Sequence, residues 1–175
     1  KKQLIYHQGK RPLYLYFIVK GKVKTFKMND DGKELITSIY KDGDFMGYTA
    51  LLEDTMYTDN AEVLEDVEAL LIPKAEFLDI IGSDNVVARK FIKLLAQNLQ
   101  DKEEQLLNLA YNSLRKRVAN GLLQVNEKFK SPDNSKPKLE MSREDLAQVV
   151  GTATESLIRI LSDFKSEKLI EIREG

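Results

Sequence analysis

The chain has 175 residues, no cysteine, one histidine and nearly balanced charge: 27 Lys and Arg against 28 Asp and Glu, a formal net charge of -1. That length accommodates one large domain or two small ones, and the lack of cysteine excludes thiolate zinc sites, cysteine-ligated iron–sulfur clusters and a disulfide scaffold, in keeping with a reducing cytoplasm. No stretch approaches the roughly 18 apolar residues of a membrane span, the first residues lack a signal peptide's apolar core, and no whole-chain basic field announces nucleic acid.

From Lys1 to about Pro73 the pattern is β. Leu13 to Phe26 and Glu34 to Tyr40 are rich in β-branched and aromatic residues, and Gly9, Gly21, Gly32 and Gly43 recur at a nearly constant interval. The spacing predicts hairpins of a sandwich or barrel, with Asn29-Asp30-Asp31-Gly32 as a plain turn. Alternation with Val23 and Phe26 turns Lys24 away from the interior and leaves Lys27 and Lys33 undecided. Because the chain opens on Lys in what already reads as a strand, its natural N-terminus is expected upstream.

From about Lys74 the period becomes helical. Ser83 or Asp84 can start a helix that runs without Pro or Gly to about Ala110. Along it Ile92, Leu95, Leu99, Leu106 and Leu109 keep the alternating steps of a heptad seam, interrupted by Lys102. A seam of this length exceeds what one flank of a small sandwich needs, so a parallel homodimer is expected, with Lys102 snorkelling or pairing with Glu103 of a second copy. Ser113 offers a fresh N-cap for a helix from Leu114 to about Phe129 that buries Val118, Leu122 and Val125. The loop Lys130 to Ser135 follows. Arg115, Lys116, Arg117, Lys128, Lys130, Lys136 and Lys138 outnumber Glu127, Asp133 and Glu140 here; such a cluster either meets phosphates or is simply solvated.

The segment Ser142 to Lys165 reads as two short amphipathic helices hinged at Gly151. Ser142 and Asp145 have capping-box character, Leu146, Val149 and Val150 form the inward stripe, and Ala147 is small enough for a close crossing. Gly151 can turn at positive φ without a Cβ penalty, and Thr152 with Glu155 repeats the capping-box spacing. In the second helix Leu157, Ile160, Leu161 and Phe164 share one face, which leaves Thr154, Glu155, Ile158 and Arg159 on the other. In a helix-turn-helix that leading exposed face enters the major groove, where Arg can bond a guanine O6/N7 edge and Glu can accept from a cytosine amine. The competing reading is a structural helix pair in which Glu155 and Arg159 form an ordinary i,i+4 ion pair worth about 0.2–0.5 kcal/mol. Lys138 to Met141 and Leu169 to Arg173 are candidate strands of a wing.

Taken in order, Tyr16 to Val23, Asp31 to Glu34, Gly43 to Gly47 and Ser142 to Lys165 resemble the Crp/Fnr transcription regulators over essentially the whole chain. The resemblance implies an α+β architecture: an N-terminal β-roll (double-stranded β-helix) effector domain over 1–82, a dimerisation helix over 83–111, and a C-terminal winged helix-turn-helix over 112–175 that binds a two-fold-related site on double-stranded DNA. By that resemblance Glu155 and Arg159 read bases and Thr154 and Ser156 flank them; Ile158, Ser142 and Arg143 complete the expected DNA-contacting set. The transcription machinery is a further partner on the same ground, and members of the family commonly extend further at both ends.

The effector region departs from the cyclic-AMP pattern. There a Glu follows the glycine matching Gly47 and an Arg with Ser or Thr precedes the alanine matching Ala61; here Tyr48 follows Gly47, and Asp59-Asn60 precede Ala61. An aspartate facing a cyclic phosphate repels it where a buried arginine would bind it bidentately. Gly47, Tyr48, Thr58, Asp59 and Asn60, with Met56 and Tyr57, either line a pocket for some other small effector or simply close the roll. His7 alone makes a poor haem ligand and a poorer cupin-type metal site, which needs two or more histidines. With no Ser-His-Asp constellation and no phosphate-cradling loop, no catalytic residue, metal or cofactor is expected, and the reading is of a cytoplasmic non-enzyme without a membrane partner. The alternative function is a ligand-sensing β-roll interaction module that does not bind DNA.

Overall fold

The computed structural model describes residues 3–129 and 139–173. The chain divides into two compact units, Lys1–Gln105 and Leu106–Gly175.

The first unit is a roll of two antiparallel sheets. One has the order β1 (Leu4–Tyr6), β6 (Asn60–Val63), β3 (Val23–Met28), β4 (Glu34–Tyr40); the other has β5 (Phe45–Met46), β2 (Tyr14–Lys20), β7 (Glu68–Pro73). Only β3 and β4 form the simple hairpin that the glycine spacing predicts, around the Asn29 turn, where the Asn29 Oδ1 accepts from the amides of Asp31 (3.1 Å) and Lys33 (2.8 Å). The glycines at 21 and 43 do something else: they carry the chain from one sheet to the other, since β2 pairs with β5 and β7 rather than with β3. At Gly21, φ is 94° and a Cβ would lie 2.1 Å from the Asp66 carbonyl oxygen, while the Gly21 amide donates to Asp42 Oδ1 at 2.9 Å. Only glycine fits both the backbone and the space.

Tyr6, Ile18, Val23, Met46, Ala50, Tyr57 and Ala61 pack between the sheets. A second cluster closes the base of the roll, where Leu15 of β2 meets three helices: α1 (Tyr48–Leu52), α2 (Lys74–Ser83) and α3 (Asn85–Tyr111). Phe91 of α3 is its hub, with ring centroids 5.1 Å from Phe77, 5.4 Å from Phe45 and 6.0 Å from Tyr48. Short α1 interrupts a region that reads as β throughout. Lys24 also departs from expectation. Strand alternation sets it opposite Val23, yet it is 0% exposed, with Nζ 3.1 Å from Glu62 Oε1, 4.0 Å from Glu34 Oε2 and 5.1 Å from the Phe26 ring centroid. Four consecutive residues of β3 are buried, so both faces of this central strand are covered and alternation no longer means inside against outside.

In the second unit, α4 (Leu114–Phe129) packs on α5 (Arg143–Val150) and α6 (Thr154–Ser166). Ser113 caps α4 as expected, its Oγ accepting from the Lys116 amide at 3.3 Å. Val118, Val125 and Leu157 are fully buried, Leu146 and Leu161 nearly so, and Leu122 is half-buried. The wing strands do not appear: residues 139–142 and 169–173 carry no strand pairing, and Lys138 lies outside the described residues. Among the described residues these two short segments have no third strand beside them, and a lone ribbon is marginal in water. An open apolar groove of about 490 Å³, lined by Leu122, Leu123, Phe164 and Leu169, runs between α4 and the segment after α6.

Gly21→Ala should destabilise the roll by roughly 3–5 kcal/mol, the sum of positive-φ strain and a backbone clash. Urea unfolding followed by tyrosine fluorescence measures it; a loss under 1 kcal/mol would show that the sheet crossing is not fixed there.

Candidate nucleic-acid interface, helical seam and β-roll cavity

Each helix of the pair is set by its ends. Ser142 is the N-cap of α5: its Oγ accepts from the Asp145 amide (3.0 Å) and donates to Asp145 Oδ2 (2.6 Å), so Asp145 reaches back to the cap's hydroxyl. Leu146, Ala147, Val149 and Val150 are buried as the stripe requires. Gly151 ends the helix in the left-handed region, φ 71° and ψ 49°, and both its amide and that of Thr152 (3.0 Å) donate to the Ala147 carbonyl. The second capping box does not form. α6 begins after Ala153, which makes no side-chain cap bond, because two residues rather than one are needed to turn from the left-handed Gly151 into the next helix.

α6 divides as its periodicity demands. Leu157, Leu161 and Phe164 are buried and Ile160 is half-buried, while Glu155, Ile158 and Arg159 are exposed and Thr154 and Ser156 half-exposed. No ion pair joins Glu155 to Arg159, so both charged ends face solvent. Ser142 and Arg143 are exposed at the start of α5. The basic cluster of α4 is less open than its composition implies. The Arg115 guanidinium lies 4.6 Å over the Phe164 ring and bonds Glu167 at 2.5 Å; Arg117 and Lys128 are half-buried, which leaves Lys116 exposed. Lys130, Lys136 and Lys138 lie outside the described residues.

Asp84 caps α3, its Oδ1 accepting from the amides of Val86 (2.8 Å) and Val87 (3.1 Å). The helix then carries two stripes side by side. Phe91, Leu94, Asn98 and Lys102, at steps of three and four, face the roll: Leu94 packs against the basal cluster, Asn98 donates to the Tyr48 hydroxyl, and Lys102 donates to the Thr37 carbonyl and to Ser38 Oγ (3.1 Å). Lys102 therefore does not interrupt the seam as its sequence position suggested. It belongs with the inner stripe, and its ammonium binds strand β4 of its own chain. The neighbouring stripe holds Ile92 (65% exposed), Leu95 (36%), Leu99 (61%) and Leu106 (67%), with Leu109 half-buried.

Inside the roll a cavity of about 120 Å³ opens beside α1. Of the five residues proposed from sequence for an effector, Gly47, Thr58 and Asp59 line it, and Tyr48 and Asn60 do not. Tyr48 turns to the basal cluster, and the Asn60 Oδ1 accepts from the Gln8 amide at 3.0 Å. Tyr6, Tyr40, Tyr57 and Glu53 complete much of the wall, and no Lys, Arg or His is among the lining residues. Sequence spacing gave no sign of Tyr6, which antiparallel pairing with Ala61 brings across from the first strand. Tyr6 and Tyr57 stack at 3.7 Å between centroids, and the Tyr6 hydroxyl donates to Asp59 Oδ1 at 3.3 Å. Burial raises the Asp59 carboxyl above its ordinary range, and the Tyr6 bond and the charges of Lys27 and Lys102 only partly oppose it. Burial, with the charge of Asp59 adding to it, also holds the Tyr6 hydroxyl firmly un-ionised.

Residues 1–84 match the family described as the cyclic nucleotide-binding domain and residues 116–175 the Crp-like helix-turn-helix domain. Among relatives, the chain is 27% identical over 171 residues to the "Cyclic AMP receptor protein" of Thermus thermophilus, covering 98% of this chain and 77% of that one. It is 29% identical over 173 residues to the "cAMP-activated global transcriptional regulator CRP" of Salmonella typhimurium, covering 97% and 81%. Among solved structures, FixK2 from Bradyrhizobium japonicum superposes with a TM-score of 0.87 at 27% identity over 100% of this chain and 86% of the other. With a roll, a long helix and a helix-turn-helix in that order, and with both family matches in register with them, the chain belongs to the Crp/Fnr family of transcription regulators.

Proposed function

We propose that this chain is a dimeric, sequence-specific regulator that acts in the cytoplasm on double-stranded DNA, by binding rather than catalysis, and that cyclic AMP and cyclic GMP do not control it. Its parts are an effector domain over 1–82, a dimerisation helix over 83–111 and a DNA-binding domain over 112–175. The observation that carries the reading is the division of α6: three apolar residues hold it to α4 and α5, while Glu155, Ile158 and Arg159 stand exposed on its leading turns. A helix so held can enter the major groove with Arg159 and Glu155 toward base edges and Thr154 and Ser156 beside them; Ser142 and Arg143, at the start of α5, lie where a crossing helix meets backbone phosphate. The exposed stripe Leu95, Leu99, Leu106 supports pairing with a second copy, which is what a two-fold-related site requires.

The relatives' names refer to cyclic AMP, and the chemistry of this roll argues against that ligand here. A cyclic phosphate brings a negative charge that has to be desolvated, and the cavity offers it Asp59 and Glu53 with no cation among the lining residues. At about 120 Å³ it is also well below the ~300–1,000 Å³ of pockets that enclose ligands of nucleotide size.

Arg159→Ala should cost about 1–3 kcal/mol of discrimination at one base pair of a site selected from random duplexes, whereas Lys116→Ala should weaken all sequences alike and lower the salt dependence. Unchanged base preferences in Arg159→Ala would remove the base-reading role. A chain with no salt-dependent affinity for any duplex would be an interaction module instead. Leu99→Glu combined with Leu106→Glu should convert a dimer to a monomer by light scattering and sharply weaken binding to the two-fold site. If the unaltered chain is already monomeric at micromolar concentration, the seam has another purpose.

A further inference from the structure

The turn from α3 into α4 is made by Asn112 and Ser113 alone, and it contains neither a glycine nor a proline to prescribe its angle. Packing does little to hold it. α4 packs on α5 and α6 and hardly at all on α3, and Leu107 and Tyr111 beside the corner are 57% and 83% exposed. Three half-buried amides bridge the corner instead: Asn108 Oδ1 accepts from Asn112 Nδ2 at 2.6 Å and from Asn120 Nδ2 at 3.0 Å. The first bond stays within the last turn of α3, where the Asn108 carbonyl also accepts from the Asn112 amide at 3.2 Å; the second crosses to the second turn of α4. An amide oxygen has two lone pairs, so this one is filled. Asn120 precedes Gly121, where a Cβ would lie 2.7 Å from Val150 Cγ2, so α4 and α5 can cross this closely only because the residue is glycine. Leu106 and Leu109 of the seam, Asn108 and the helix pair all belong to the unit Leu106–Gly175. The clamp therefore stands between the end of the seam and α6 within one compact body.

We propose that Asn108 is a positioning residue for DNA recognition: its side-chain carbonyl, shared between Asn112 and Asn120, fixes the corner from α3 to α4 and so sets the half-site spacing that two paired copies accept. The inference rests on the reading of a paired regulator on a two-fold-related site. Asn108 acts on DNA only through α4. That helix has 16 residues, a length of ~24 Å at the usual rise. For a lever of that length a change of ~10° at the corner displaces the far end by roughly 4 Å, more than the ~3.4 Å between successive base pairs. Two-fold symmetry turns both copies alike, so the displacement appears as an altered separation of the half-sites and leaves the bases read within each one unchanged.

The test uses the full chain and duplexes that carry its own selected half-site twice, at the selected spacing and at spacings one and two base pairs shorter or longer. The unaltered chain is expected to prefer one spacing. Asn108→Leu, similar in shape and without the acceptor, should lower that preference over the neighbouring spacings by roughly fivefold, the worth of one net hydrogen bond. Affinity for an isolated half-site and its base preferences should not change, which a merely structural loss would not spare. Asn108→Asp keeps an oxygen for both donors and should restore the preference. Asn120→Ala removes only the donor across the corner and should reproduce the effect of Asn108→Leu, so the proposal is read even if the leucine variant does not fold. An unchanged spacing preference in Asn120→Ala, or a loss in Asn108→Asp as large as in Asn108→Leu, would overturn it. The two readings fail differently. A paired chain whose spacing preference ignores these amides removes the positioning role alone, whereas an unaltered chain that binds no duplex, or binds half-sites only as a monomer, removes the paired regulator and this inference with it.

Discussion

Insertion of Phe91 into the base of the roll fixes how α3 is turned about its own axis, and much of the chain's usable surface follows from that rotation. The ring meets Phe45, Tyr48 and Phe77 at centroid distances of 6.0 Å or less. Burying an aromatic of this kind is worth a few kcal/mol, enough to outweigh any preference of the exposed leucines for their own roll. Once Phe91 faces inward, Leu94, Asn98 and Lys102 must follow it at helical spacing, and each finds a partner there. The adjacent stripe of Ile92, Leu95, Leu99 and Leu106 is thereby left toward solvent, and it is on this apolar surface that the proposed pairing with a second copy rests.

The helix pair was legible in sequence because its determinants are local. A cap three residues from its partner, a glycine that must adopt positive φ and an apolar stripe at steps of three and four all lie within a few turns of one another. Even there one detail escaped. Thr152 and Glu155 have the right spacing for a cap, but the geometry leaving Gly151 decides where α6 begins, and propensity does not encode that geometry. The roll was legible as strands and not as pairings. Nothing local says that β2 skips β3 to pair with β5 and β7, since both partners lie tens of residues away.

Lys24 and Lys102 were misread for the same reason. Strand alternation and heptad spacing assign a side chain to a face; they do not say what covers that face. Lys24 lies on a strand covered on both sides and survives there through Glu62 and Glu34, an arrangement whose desolvation cost is recovered only with such partners. Lys102 shifts by one residue's worth of rotation from the outer stripe to the inner. For the cavity, the glycine and Asp59 were found from sequence because they lie where the family's pattern changes. Tyr6 and Tyr40 come from other strands, and only tertiary pairing brings them to the same wall.

α1 belongs to both halves of the first unit. Thr49 and Ala50 line the cavity, while Tyr48, the residue before them, packs against Phe91 and accepts from Asn98. With five residues and no side-chain cap, this helix has little stability of its own, so its position is set by what it touches on each side. The backbone that presents Thr49 and Ala50 to the cavity is therefore the same backbone that places Tyr48 against Phe91 and Asn98 of α3. The packing of Phe91 on Tyr48 thus holds the basal end of α1, and through it one wall of the cavity.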